Sequence, residues 1–180
     1  MSIPSTAADV KGLLKSAVRD DDPVIVFEDT RLWPVRGEVP ADPDFLIPIG
    51  KADVKIVGED ITLVAVAGAM RATLEAVKTL AAEGISPEVI DPRTLKPLDM
   101  DTILASVAKT RRLVVIENGH RVANVGAEIA AVVCEQAFDC LAKPIIRLSA
   151  PDVHVPFSPS LEQLLYPTKE KIVATVKSLL

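Results

Sequence analysis

Apolar positions first recur at helical spacing. Val10, Leu13, Leu14, Ala17 and Val18 predict an amphipathic helix over Thr6 to Asp20. Asp20-Asp21-Asp22-Pro23 ends it, and Val24-Ile25-Val26-Phe27 follows. Four consecutive apolar residues are the pattern of a strand buried on both faces. Such a strand needs parallel neighbours and a covering layer, yet the chain passes straight into a connector over 30–51. Pro34, Pro40, Pro43, Pro48, Gly37 and Gly50 break that stretch. The helix and strand therefore read as the closing unit of a sheet whose other strands are not in this chain.

Beyond residue 52 the pattern becomes regular. Val54 to Val57, the turn Gly58-Glu59-Asp60 and Ile61 to Val66 predict a hairpin leading into a buried strand. Ala69 to Glu83 is a helix, with Leu74, Val77, Leu80 and Ala81 on one face and Gly84 as its stop. A short strand at Glu88 to Ile90 precedes a helix at Asp99 to Lys109, whose acidic start suits the macrodipole. Leu113 to Ile116 is a strand, Val125 to Leu141 a helix, Ile145 to Leu148 a strand and Thr168 to Leu180 a final helix. Strands alternating with helices predict an α/β fold: a mainly parallel sheet with helices on both faces. Three segments follow: an orphan helix–strand unit at 1–29, a Pro-rich connector at 30–51 and an α/β domain at 52–180.

Composition narrows the function classes. Hydrophobic residues make up 49% and charged residues 25%, as in a globular chain. Aromatics are only 3%, so Val, Ile, Leu and Ala must build the core. A net charge of -5 gives no electrostatic reason to expect nucleic acid. The longest uncharged run, Ile61 to Met70, is about half the ~20 residues of a membrane span. Met1 to Pro4 carries no secretory pattern, so a cytoplasmic protein without membrane contact is expected. Cys134 and Cys140 match neither a zinc pair nor a redox motif.

Candidate chemistry is sparse. Glu117, Asn118, His120 and Arg121 follow a strand, at the edge where open α/β sheets place ligands. They form either a polar cluster facing a cleft or a solvated loop. His154 has no ligand partner at metal spacing. Gly119 to Gly126 opens a helix but lacks the glycine spacing of a nucleotide loop. The acidic helix end is more informative. Helix C-termini present unpaired carbonyls and partial negative charge, so added carboxylates make sense around a hard cation. Three solvated acids at a turn remain the plainer reading of the same residues.

Four runs carry a family resemblance. They are Thr6 to Pro23, Leu46 to Ala52, Glu88 to Asp99 and Val125 to Ile129, in order along nearly the whole chain. They resemble the C-terminal part of the beta subunit of the thiamine-diphosphate-dependent decarboxylating component of 2-oxo acid dehydrogenase complexes, including those for pyruvate and acetoin. The resemblance implies that 52–180 is a transketolase C-terminal-like domain and that 1–29 closes a truncated pyrimidine-binding domain. It implies oxidative decarboxylation of a 2-oxo acid, or cleavage of acetoin, with thiamine diphosphate and magnesium in the complete enzyme. The family's activating glutamate and catalytic histidine lie upstream of the matched segment. No catalytic or thiamine-binding residue is therefore assigned here, and His120 is not promoted to that role. The family's potassium site does map, onto Ala17, Val18, Asp20 and Asp22. Ala123-Asn124 stands where glycines are usual. The implied partners are an alpha subunit, a dihydrolipoyl acyltransferase core docked near Leu180, and a second copy held through the C-terminal domain. The chain alone is expected to be inactive and not to hold thiamine diphosphate. The alternatives are a standalone interaction module and an α/β domain that binds a small anion near Glu117 to Arg121.

Overall fold

The computed structural model describes residues 1–180. Its sheet has five strands: β1 (Asp53–Ile56), β2 (Ile61–Ala65), β3 (Pro87–Asp91), β4 (Leu113–His120) and β5 (Ile146–Ala150). They lie in the order β1-β3-β2-β4-β5. β2 to β5 run parallel, and β1 pairs antiparallel with β3. Between them come α2 (Ala69–Ala82), α3 (Met100–Thr110) and α4 (Val125–Gln136), and after β5 the single turn α5 (Pro159–Glu162) and α6 (Lys169–Leu179).

Alternation along β2 accounts for the two layers. Ile61, Leu63 and Ala65 join Met70, Ala76 and Leu80 of α2 and Ile172 and Val176 of α6 in one core. Val64 joins Ile90 with Ile103 and Val107 of α3 and Ile129 and Val133 of α4 on the other face. Every residue of β2 is buried, because helices cover both faces and each side chain has an apolar or bonded destination. Thr62, the polar exception, shares its hydroxyl with Ser106 and Thr110 of α3, each at 2.7 Å. Thr6, Asp99, Asn124 and Thr168 cap the helices that follow them.

The expected hairpin is corrected. β1 and β2 do not pair, because β3 lies between them. The turn joining them is tied to the start of β3 instead: the N–H groups of Glu59 and Asp60 donate to the Ser86 carbonyl, at 2.9 and 3.0 Å. A Cβ on Gly58 would collide with the Pro87 carbonyl, so that turn tolerates only glycine. The helix predicted to reach Leu141 ends at Gln136, and a 3₁₀ turn over Phe138–Cys140 follows. β4 continues to His120, so that histidine ends a strand instead of opening a loop.

The first helix, α1 (Ala7–Val18), buries Asp9, Gly12 and Leu13. Val10, Leu14 and Val18, three of the five residues read as its inner face, are exposed instead, Val18 at 78%. The connector wraps the buried side. A Cβ on Gly12 would come within 2.5 Å of Ile47, and the Ser16 hydroxyl donates to the Ile47 carbonyl at 2.6 Å.

Val24 to Phe27 differs most from expectation. It is not a strand buried on both faces. Val26 makes only an isolated bridge to Ser2, while Ile25 and Phe27 are 55% and 44% exposed. Ser2 donates to Ile25 and accepts from Phe27, both at 2.9 Å. No helix layer covers Ile25 and Phe27, so an apolar run built for burial lies open.

Candidate functional site

A cleft of about 520 Å³ opens at the C-terminal ends of β2 and β4, between Phe27–Arg31, Asn118 and Tyr166. The sharp exit from β2 forms its floor. Ala67 takes the left-handed conformation at φ +48, and a Cβ on the next residue, Gly68, would collide with the Asp29 carboxylate. Asp29 accepts the Gly68 N–H at 3.2 Å and holds Arg31 through two bonds of 2.9 and 2.7 Å. The Arg31 guanidinium lies 4.2 Å from the centre of the Tyr166 ring, whose hydroxyl donates to Glu162 at 2.8 Å. With its amide oxygen turned toward them, Asn118 accepts from the Ala69 N–H and from Arg31, each at 3.1 Å. Burial by itself raises the Asp29 pKa. The Arg31 guanidinium and the N–H groups of Arg31 and Gly68 outweigh that, holding this carboxyl below its ordinary range.

Glu117 plugs the second helix end. It is 1% exposed, accepts the Gly126 N–H of α4 at 3.1 Å and the Ser149 hydroxyl at 2.9 Å. Burial pushes its pKa up, with Ser149 and Gly126 opposing the rise. Both helix N-termini at this edge therefore already hold a carboxylate of the chain. Little donor capacity is left there for the anion that the alternative reading requires. Of the predicted cluster, Glu117 and Asn118 reach the cleft, while His120 and Arg121 are exposed; Arg121 instead bonds the Arg147 carbonyl at 3.0 Å.

The predicted cation residues lie at the other end of α1. Ala17 and Val18 are its last two residues, and their carbonyls accept no backbone hydrogen bond. Asp20 and Asp22 are exposed, and Asp20 accepts the Asp22 N–H at 3.0 Å. Two free carbonyls and two exposed carboxylates thus lie close together along the chain. No group of three or more His, Cys, Asp or Glu side chains converges as a metal cluster.

The densest ionic constellation carried no assigned role in the sequence. Asp9 of α1, Asp53 and Lys55 of β1, Asp91 of β3 and Arg93 form one network where α1 meets the sheet edge. Its signal was an acid ending an apolar strand, Val89-Ile90-Asp91, and another within the first turn after Thr6.

Residues 50–172 match the family model of the transketolase C-terminal domain. With the five-stranded, mostly parallel sheet in place, the chain belongs to that family. Within it, the chain corresponds to the C-terminal part of the beta subunits of pyruvate, 2-oxo acid and acetoin dehydrogenases. It is 46% identical, over 99% of its length, to the acetoin:2,6-dichlorophenolindophenol oxidoreductase subunit beta of Bacillus subtilis, covering 52% of that protein. It is 45% identical, over 98% of its length, to the pyruvate dehydrogenase E1 component subunit beta of Rhizobium meliloti, covering 38% of it. The 2-oxoisovalerate dehydrogenase subunit beta of Bacillus subtilis is 40% identical over 98% of the chain, which covers 54% of that relative. A solved split-gene transketolase, described as an inactive beta4 tetramer, superposes with a TM-score of 0.78 at 29% identity. That match covers 99% of this chain and 56% of the other. The chain thus spans about half or less of the relatives it matches. No helix is long and apolar enough to cross a membrane.

Proposed function

We propose that this chain supplies assembly to a thiamine-diphosphate-dependent 2-oxo acid or acetoin dehydrogenase, as the C-terminal portion of its beta subunit. One observation carries the reading. A sheet domain covered on both faces stands beside a helix–strand unit with Val10, Leu14, Val18, Ile25 and Phe27 exposed. Separate apolar residues on a surface are ordinary; a helix stripe next to an uncovered apolar extended segment marks an interface. On this reading residues 1–29 close a pyrimidine-binding domain, 30–51 link it and 52–180 hold the subunits together. The alpha subunit, the acyltransferase core and a second copy are its partners, and its place is the cytoplasm.

Thiamine diphosphate would supply the electron chemistry of the complete enzyme, with magnesium on its diphosphate. The residues present do not fit that group. The helix N-termini that would cradle a diphosphate hold Asp29 and Glu117, and the cleft adds Glu28 and Glu162. Catalysis is therefore assigned to parts of the enzyme outside this chain. Potassium fits better, with the Ala17 and Val18 carbonyls and the Asp20 and Asp22 carboxylates as its holders.

Light scattering on the purified chain tests the assembly role. The expected mass is at least twice the 19.2 kDa of one copy. A 19.2 kDa monomer at tens of micromolar, with Val24 to Phe27 ordered and solvated, contradicts it.

A further inference from the structure

Asp9 and Asp91 are both fully buried, and one hydroxyl, that of Ser5, bridges them. The groups facing the pair come from three elements. From the start of α1, the Thr6 hydroxyl donates to Asp9 at 2.5 Å. From β1, Lys55 Nζ lies 3.5 Å from Asp9, 3.7 Å from Asp91 and 2.6 Å from Asp53. From the turn after β3, Arg93 Nε reaches Asp9 at 2.7 Å, its Nη2 reaches Asp53 at 2.9 Å, and its N–H donates to Asp91 at 3.0 Å. Arg93 makes these contacts from the left-handed region, φ +55, which costs a non-glycine residue about 1 kcal/mol. Three carboxylates thus face two cations. Fully ionised, the seam carries one uncompensated negative charge, with Asp9 and Asp91 fully buried and Asp53 partly exposed; one proton balances it.

We propose that the Asp9–Asp91 pair is a proton-operated latch, fastening residues 5–18 to the sheet edge and gripping harder as the medium acidifies. Asp91 is the member that takes the proton. Burial pushes its carboxyl up to about 6; Asp9 adds to the rise, while Ser5, Lys55 and the Arg93 N–H oppose it. Asp9 stays ionised. Its burial is outweighed by Thr6, Lys55 and Arg93, which hold it below the ordinary range. The sign follows from linkage. A docked carboxyl with a raised pKa binds a proton that the undocked one releases, so docking strengthens as pH falls through about 6. The gain is complete near the ordinary carboxylate value, and lower pH removes it by protonating Asp9 as well. Position and sign both make this a device for setting how firmly the helix–strand unit is held, whatever partner that unit meets.

Amide hydrogen exchange on the full chain tests the latch. Exchange is corrected for intrinsic rates and α1 is read against α3, which cancels proton uptake elsewhere in the chain. Protection of α1 is expected to rise about tenfold from pH 7.5 to pH 5, as a pKa moving from its ordinary value to about 6 requires. In Asp91→Asn the rise should vanish. In Ser5→Ala protection should fall most near pH 7.5, and the rise on acidification should persist and begin at higher pH, because that hydroxyl opposes the shift of Asp91. A flat or falling wild-type profile, or a slope that survives Asp91→Asn, overturns the proposal. If Asp91→Asn does not fold, a carboxyl-carbon NMR titration of the wild type decides. A midpoint near 6 that moves with α1 protection supports the latch, and a midpoint at the ordinary value overturns it.

Discussion

Replacing Arg93 separates two opposed effects at one position. The side chain is 18% exposed and pairs with Asp9, which is 0% exposed, and with Asp53 at 32%. Removing the guanidinium leaves Asp9 buried with Lys55, Thr6 and Ser5 as its remaining partners. Breaking a buried pair from one side costs about 3–5 kcal/mol. The nearby Lys55 and the partial exposure of Asp53 reduce that to about 2–4 kcal/mol. The backbone acts the other way. At φ +55 alanine keeps the left-handed strain, whereas glycine relieves about 1 kcal/mol of it. Arg93→Ala should therefore lose about 2–4 kcal/mol, and Arg93→Gly about 1 kcal/mol less. In urea, with a slope of about 2 kcal/mol/M, the midpoint should drop by about 1–2 M for alanine and recover part of that for glycine. Circular dichroism and tryptophan fluorescence from Trp33 should report the change together. Both variants within about 0.5 kcal/mol of wild type, or glycine less stable than alanine, would refute the argument.

Three further outcomes are expected. Ala123 is exposed and sits at φ +55, so Ala123→Gly should stabilise by about 0.5–1 kcal/mol in urea unfolding, as few surface changes to glycine do. Glu117 has a raised pKa because it is buried, so its contribution is lost as pH rises through the folded value. Glu117→Gln should therefore be relatively more stable at pH 8 than at pH 4, because glutamine can still accept from Gly126 and pair with Ser149; thermal melts at the two pH values check this. If Ala17, Val18, Asp20 and Asp22 hold potassium, KCl should raise the melting temperature above choline chloride at equal ionic strength. Asp20→Ala should abolish that difference, and a chain indifferent to the cation would remove the site.

What the sequence made legible follows from where the physics was local. The runs at 61–66 and 113–116 had to be buried strands, and the periodic stretches at 69–83 and 99–109 had one apolar face each; three stand within a residue or two, while β4 runs on past Ile116 to His120. Pairing was not local. Two strands joined by Gly58-Glu59-Asp60 look like a hairpin, and only the long-range bonds from that turn to Ser86 show that β3 lies between them. The apolar run at Val24 to Phe27 was recognised, but composition says what a segment is suited to, not what covers it. The ionic seam was missed for a related reason. Asp9, Lys55, Asp91 and Arg93 are separated by up to 84 residues, and a charge in a sequence reads as solvated until its partners are placed beside it.

Isothermal calorimetry tests most directly the proposal that this chain supplies assembly without holding the cofactor. Thiamine diphosphate with magnesium is titrated into the purified 180-residue chain. The expected result is no saturable heat at micromolar cofactor, because Asp29 and Glu117 already hold the helix ends that a diphosphate would need. Stoichiometric binding with a micromolar Kd would contradict it.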